Sequence, residues 1–347
     1  MIAHWIVLAD PRIVPTKGGH INTSYFIADG VEAPRWLLQR LNRDVFPSPE
    51  KVMHNIGLVL AGSATVPEPG IGLPNLLRTP EGAALVRDAE GESWRCWEMM
   101  PNARSGTTVT CAPEAWEAAR AFGAFARFAA TLEASQLAET IPGFHDTPVR
   151  LARLETSIAR DVSGRVARAR EEIALALRYR ALAPILIAPL QAGVIPTRVA
   201  HNDAKVANVL FDLTTGRAAM VIDLDTVMPG TPLFDFGDLV RSSVSTAAED
   251  TTALDEVVAE PPLYQALLEG YLAGTGRLLT PGEIELMEPA GRVITWEQAI
   301  RFLTDYLDGD TYFATEHPGH NLERTRAQLA LLASLERQKH AFRAMVT

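Results

Sequence analysis

The sequence predicts an α+β protein of two lobes: a small antiparallel β-sheet lobe with one helix, then a larger, mainly helical lobe. Three observations carry this. Residues 1–100 set short apolar runs between turn signals. Beyond residue 101, apolar residues recur with a helical period. Between them in character lies Val199–Arg241, which packs His201, Asp203, Lys205, Asn208, Asp223, Asp225, Asp235 and Asp238 among short strand-like runs. A buried apolar segment would not carry those acids, and a solvated loop would not carry VANVLF and AAMVI.

In the first lobe, Lys17-Gly18-Gly19-His20-Ile21-Asn22 is a turn, followed by a strand over Thr23–Ala28 and another over Trp36–Leu41. Two strands after a Gly-rich turn could cover a nucleotide phosphate, although most such turns are only turns. A helix starts at Pro49, with apolar positions 52, 53, 56, 59 and 60 on one face. Leu76–Arg78, Ala83–Arg87 and Trp94–Met99 read as further strands. The composition changes at Pro101–Gly106, where a hinge is expected between a lobe of residues 1–100 and one of 101–347. Helices are then expected over Pro113–Leu132, Gly164–Leu182, Leu254–Tyr271, Pro281–Leu307 and Asn321–Met345.

The composition is that of a soluble globular chain: 47% hydrophobic, 21% charged, net charge −10 over 347 residues. With no basic tract, that charge argues against a nucleic-acid partner. Cys96 and Cys111 support neither a disulfide framework nor a metal site and read as buried or free thiols. The N-terminus has neither the basic flank nor the apolar core of a secretory signal, and no apolar run approaches the ~18 residues of a membrane span. No membrane partner is expected, and the cytoplasm is the expected location.

The chemistry concentrates in Val199–Arg241. Asp203 precedes Asn208 by five residues; Val209–Phe211 runs out, Thr214–Gly216 turns, and Ala218–Ile222 returns to Asp223. A hairpin of this kind sets Asn208 and Asp223 side by side at its open end. An amide oxygen and a carboxylate make a hard, all-oxygen site of the type Mg²⁺ takes. Asp203 can accept a proton from a hydroxyl. The pattern H-x-D-x-x-x-x-N followed by a strand-capping Asp is a phosphoryl-transfer arrangement.

His201–Asn208 with Ile222-Asp223 resembles the aminoglycoside phosphotransferase and choline kinase superfamily, which has a protein-kinase-like fold. Gly19–Tyr25, Leu38–Asn42, Ile222–Gly230 and Arg301–Leu307 look more closely like the N-acetylhexosamine 1-kinases. The resemblance implies ATP and Mg²⁺ as cofactors and a small hydroxylated acceptor, an amino sugar phosphorylated at its anomeric position. It implies Asp203 as catalytic base and Asn208 and Asp223 as metal ligands, and it leaves Asp225 between a metal ligand and a loop contact. Lys205 would neutralise the γ-phosphoryl group, and His201 and Asp235 would support the loop; Asp235 reads equally as the N-cap of the next helix. Gly19, Asn22, Thr23 and Arg40 would face the phosphates, with Gln39 beside Arg40 and Glu50 as a helix partner, and Glu98 and Met100 would frame the adenine. Arg301, Asp305 and Asp308 share a helical face, which reads equally as a solvated ion-pair row. The resemblance turns Arg301, with Asp305 and Tyr312, toward the sugar. Another hydroxylated acceptor, such as an aminoglycoside or an amino alcohol, is the alternative. A non-catalytic nucleotide-binding protein on the same fold is a further one. The pair His145-Asp146 reads as a loop cap or structural contact.

Overall fold

The computed structural model describes residues 1–16, 21–66, 70–106 and 108–346. The N-terminal part is an antiparallel sheet: β1 (Pro11–Pro15), β2 (Thr23–Asp29) and β3 (Trp36–Arg40), then helix α1 (Pro49–Thr65), then β4 (Asn75–Leu76), β5 (Val86–Arg87) and β6 (Ser93–Glu98). The strand order is β1-β2-β3-β6-β4, with β5 also paired to β6. The strands anticipated over 76–78 and 83–87 shrink to two residues each, because each borders β6 only briefly.

Side chains alternate across such strands. Trp36, Leu38 and Cys96 pack on the outer face with Ile2, Trp5 and Ile27. Leu37 and Trp97 face the main core, which spans the rest of the molecule. The same alternation decides where the polar residues go. Gln39 and Arg95 are direct cross-strand partners on the inner face, whereas Arg40 falls on the outer phase and is exposed.

The segment read as a hinge carries a strand of its own, β7 (Ala103–Ser105). The helices α2 (Ala112–Ala129), α3 (Thr147–Arg160), α4 (Arg170–Arg178) and α5 (Pro184–Gln191) follow. Next come β8 (Arg198–Ala200), β9 (Val209–Asp212), β10 (Ala218–Val221) and β11 (Met228–Gly230), and finally α6 (Pro232–Ser243), α7 (Pro261–Thr275), α8 (Pro281–Glu285), α9 (Met287–Asp308) and α10 (His320–Val346). β7 pairs with β9, making a three-stranded sheet of the expected hairpin, and β8 pairs with β11. Helices α3, α5 and α6 are additions to the sequence reading, and the helix expected from Gly164 starts only at Arg170. The local signal for α3 was present: Asp146 accepts from Val149 N at 3.2 Å as an N-cap, with proline in the first turn.

The long apolar helix α2 crosses α7 at very close range. A Cβ added at Gly270 would sit 2.2 Å from the Trp116 carbonyl oxygen, and one at Gly123 would sit 2.4 Å from that of Tyr271. Glycines at the crossing let the backbones touch, and the α2 face so placed carries Phe122 and Phe125 against the catalytic loop. Among the described residues no single helix is long and apolar enough to cross a membrane.

Candidate active site

The loop between β8 and β9 holds Asp203, and its shape is set by a buried acid on the helix that follows. Asp235, in the first turn of α6, accepts from His201 N at 3.0 Å and from Asn202 N at 2.7 Å. It is not the helix cap, a role that falls to Thr231. Burial pushes its carboxyl above the ordinary value, while the two N–H donors favour its charge. Asn202 adopts the left-handed conformation, φ 64°, which asparagine tolerates better than most residues. Its amide donates to the carbonyls of Ala200 (3.2 Å) and Thr226 (3.0 Å), tying the loop to the strand after the hairpin. His201 Nε2 donates to Ile222 O at 3.0 Å, and its ring lies edge-on between Phe122 and Phe125.

The hairpin closes as its sequence implies. Ile222 N donates to Asn208 O at 2.9 Å, which brings Asp223 beside Asn208. Asn208 Nδ2 donates to Asp203 Oδ2 at 2.9 Å, leaving its amide oxygen available. Lys205 Nζ lies 2.9 Å from the same Asp203 oxygen. Desolvation would raise the Asp203 carboxyl, but the Lys205 ammonium outweighs it and holds the group well below the usual range. The same ion pair raises Lys205.

Asp223, in the left-handed region at φ 61°, keeps an open surface yet is surrounded by protein on its other sides. That desolvation, with the negative charges of Asp225 and Asp203, pushes its carboxyl up to about 7. Crowded carboxylates beside a free amide oxygen are a donor set that suits a divalent cation. Asn208 and Asp223 would hold it.

Several expectations shift once the chain is folded. Both Asp225 oxygens are engaged by the sheet lobe: Arg95 grips them at 2.5 and 2.9 Å, and Asn22 Nδ2 adds a third contact at 2.7 Å. Gln39 accepts from Arg95 Nη2 at 2.9 Å and from Trp97 Nε1 at 2.7 Å. The cation buried at the inner face of the sheet is therefore Arg95 of β6. Arg40 reaches outward to Thr23 Oγ1 at 3.1 Å. Glu50 pairs with Arg87 on the surface, and α1 docks instead through Asn55, whose amide donates to Val227 O at 2.8 Å. Arg95 could have been suspected from its register opposite Gln39, but only once β3 and β6 were known to pair.

At the end of β6, Met99 N donates to Arg35 O at 2.8 Å, while the Met100 N–H has no protein acceptor among the described residues. Glu98 is exposed and accepts from Asn75 at 2.8 Å. Gly19, together with His20, lies outside the described residues.

Arg301, Asp305 and Tyr312 come together around one pocket, which Arg150 and Arg153 also line. Their roles in it differ. Asp305 is buried and spent: it accepts from Thr311 N (2.8 Å), Tyr312 N (2.8 Å), Phe313 N (2.9 Å) and Asn321 Nδ2 (2.9 Å). It shapes the loop after α9 and has little left to offer a sugar. The Arg301 guanidinium lies over the rings of Phe144 (4.7 Å) and Phe313 (5.6 Å). Phe144 leads into His145, whose Nδ1 lies 2.8 Å from a Glu297 carboxylate oxygen and whose Nε2 lies 3.0 Å from Asn202 O. The pocket is thus braced to the residue before Asp203. Glu297 has no local partner in the sequence and went unnoticed there.

Residues 12–279 match the model of the phosphotransferase enzyme family, known as APH. This chain belongs to that family. The fold of this phosphotransferase is kinase-like, as its solved neighbours show. A microcompartment-associated aminopropanol kinase matches at TM-score 0.65 and 16% identity, over 100% of this chain and 98% of its own. An aminoglycoside phosphotransferase from Alicyclobacillus acidocaldarius matches at 0.62 and 14%, over 98% and 95%. An amicoumacin kinase in complex with AMP-PNP and Ca²⁺ matches at 0.60 and 12%, over 94% and 90%.

Proposed function

We propose that this phosphotransferase is an ATP- and Mg²⁺-dependent small-molecule kinase acting on the anomeric hydroxyl of an N-acetylhexosamine. The observation that carries the kinase reading is the single cluster formed by Asp203, Lys205, Asn208 and Asp223 at the open end of the hairpin. Asp203 accepts the proton of the attacking hydroxyl, whose oxygen bonds to the γ-phosphorus as the bond to ADP breaks. In the resting protein Lys205 and Asn208 share the Asp203 carboxylate. When the γ-phosphoryl oxygens arrive, the Lys205 ammonium has a second anion to serve, and the base is freed. Asn208 and Asp223 would hold Mg²⁺, which would supply positive charge against the phosphates there. Most of the acceleration in such sites comes from positioning and fixed charge.

The anomeric-sugar reading is supported by the segment around Arg301, whose guanidinium lies over the rings of Phe144 and Phe313, the former next to the His145 that bonds the catalytic loop. Acceptors of the aminopropanol or aminoglycoside kind, named for the solved neighbours, are the competing reading, and a pocket lined by three arginines counts against such cations. The test is a panel of acceptors with Mg²⁺ and ATP, the product located by phosphorus NMR. A sugar 1-phosphate supports the proposal. A 6-phosphate or a phospho-aminoglycoside overturns the acceptor, and Mg-ATP binding without transfer to any acceptor overturns the kinase.

A further inference from the structure

The pocket around Arg301 has a charge that the kinase reading alone does not explain. Arg150 and Arg153 project from α3, and Arg301 from α9. None of the three pairs with a carboxylate among the described residues. Arg150 gives Nε and Nη2 to the Phe144 carbonyl at 3.1 and 3.0 Å, and Arg301 gives Nη1 to the neutral Gln298 amide at 3.0 Å. Three arginines elsewhere are matched to carboxylates: Arg95 to Asp225, Arg241 to Asp238 and Arg292 to Glu288.

Two acids also line the pocket. Asp305 has its oxygens filled by three backbone N–H groups and Asn321. Asp308 is the second. Burial pushes Arg150 down to about 10, and repulsion from Arg301 and Arg153 adds to it, outweighing the pull of Glu297 and Tyr312. Crowded cations with unspent N–H donors around one opening form a site for an anion. The planar guanidinium fork fits carboxylate, sulfate and phosphate oxygens two at a time.

We propose that the acceptor is a sugar carrying an anionic group, a carboxylate or a sulfate or phosphate ester, held by Arg150, Arg153 and Arg301 while its hydroxyl meets Asp203. This rests on the kinase reading for the hydroxyl and on the arginines alone for the anion. A polycation would find no acceptor in those three guanidinium groups, and a neutral sugar would leave their N–H donors without an anion to hold.

The experiment compares N-acetylglucosamine, its 6-sulfate, its 6-phosphate, the corresponding C6 carboxylate and an aminoglycoside. Binding is followed by calorimetry on the full chain, and turnover with Mg-ATP is followed in parallel. One charged sugar is expected to bind, and to show a kcat/KM, at least about tenfold better than the neutral parent, the scale of one charge-assisted bond. The carboxylate and ester arms identify which anion it is. Arg150→Gln and Arg153→Gln, checked for an unchanged melting temperature, should each draw the charged-to-neutral ratio toward one. Equal or better binding of the neutral sugar overturns the proposal, as does an equal loss for charged and neutral sugars in both variants. If no compound is phosphorylated, the kinase reading fails, and the calorimetric preference still decides the anion site.

Discussion

Arg95 and Asp225, 130 residues apart in sequence, form a buried bidentate ion pair that joins the N-terminal sheet to the segment following the catalytic hairpin. Gln39 and Asn22 extend it on either side. The pair occupies both Asp225 oxygens and sets the sheet over Asp223, two residues earlier. Removing one partner leaves the other charge buried and unpaired, which costs about 3–5 kcal/mol. Arg95→Ala should lose that much in a urea titration, and the Asp225→Leu, Arg95→Met double variant should recover a good part of it. A loss below ~1 kcal/mol for Arg95→Ala would show that the pair does not bind the two parts together.

Asp203 shares its carboxylate with Lys205 and Asn208, and the amide of an asparagine keeps the same shape and one acceptor oxygen for them. Asp203→Asn should lower turnover by about 10²–10⁴, the usual weight of a general base, with a circular dichroism spectrum and melting curve close to the parent's. Near-normal turnover would mean that another group takes the proton.

Asp223 gives a pH signature. Its carboxyl is raised to about 7 in the folded protein, so the native state holds a proton there that the unfolded chain releases near ~4. The stability this contributes is complete below about pH 4 and is lost as pH rises through about 7. A cation at Asn208 and Asp223 competes with that proton. Mg²⁺ should therefore raise the melting temperature more at pH 8 than at pH 6. A Mg²⁺ effect that is flat, or that shrinks with rising pH, would remove Asp223 from the metal site.

The two cysteines should separate cleanly. Cys111 is exposed, whereas Cys96 is buried in the outer face of the sheet, and burial raises its thiol to about 12. Reactivity follows the thiolate. A maleimide reagent should label the native chain once, at Cys111, and twice only in denaturant, as read by intact-mass spectrometry. Prompt double labelling would mean that the cluster around Trp36 and Leu38 opens easily.

Helix α7 tolerates no side chain at its closest approach to α2. Gly270→Ala places its methyl group against the Trp116 carbonyl at 2.2 Å, and relieving that clash should cost about 1–3 kcal/mol. Gly309→Ala is a poor control because of its positive φ, so Gly57→Ala, in open space on α1, serves instead and should be neutral or slightly stabilising. Equal stability of the Gly270 and Gly57 variants would contradict the crossing.

The sequence by itself determined the hairpin and its order of residues, the strands β2, β3 and β6 to within a residue at either end, and the long helices α1, α2 and α10. These rest on local rules: alternation, the helical period, turn residues and spacings of a few positions. Even the closeness of Asn208 and Asp223 is local, because a short hairpin returns on itself. The bounds of β4 and β5 were misjudged because they depend on what lies alongside, and α3 escaped because its cap precedes an arginine-rich helix. Which cation enters the cleft was decided only in three dimensions. Arg40 and Arg95 look alike in the chain, and strand phase together with β3–β6 pairing sends one out and the other in. The fate of the acids was decided the same way. A carboxylate in a sequence carries no sign of whether backbone N–H groups, as around Asp305, or a distant guanidinium, as at Asp225, will fill its oxygens. Electrostatic partners are chosen by proximity across the fold, and no spacing along the chain records it.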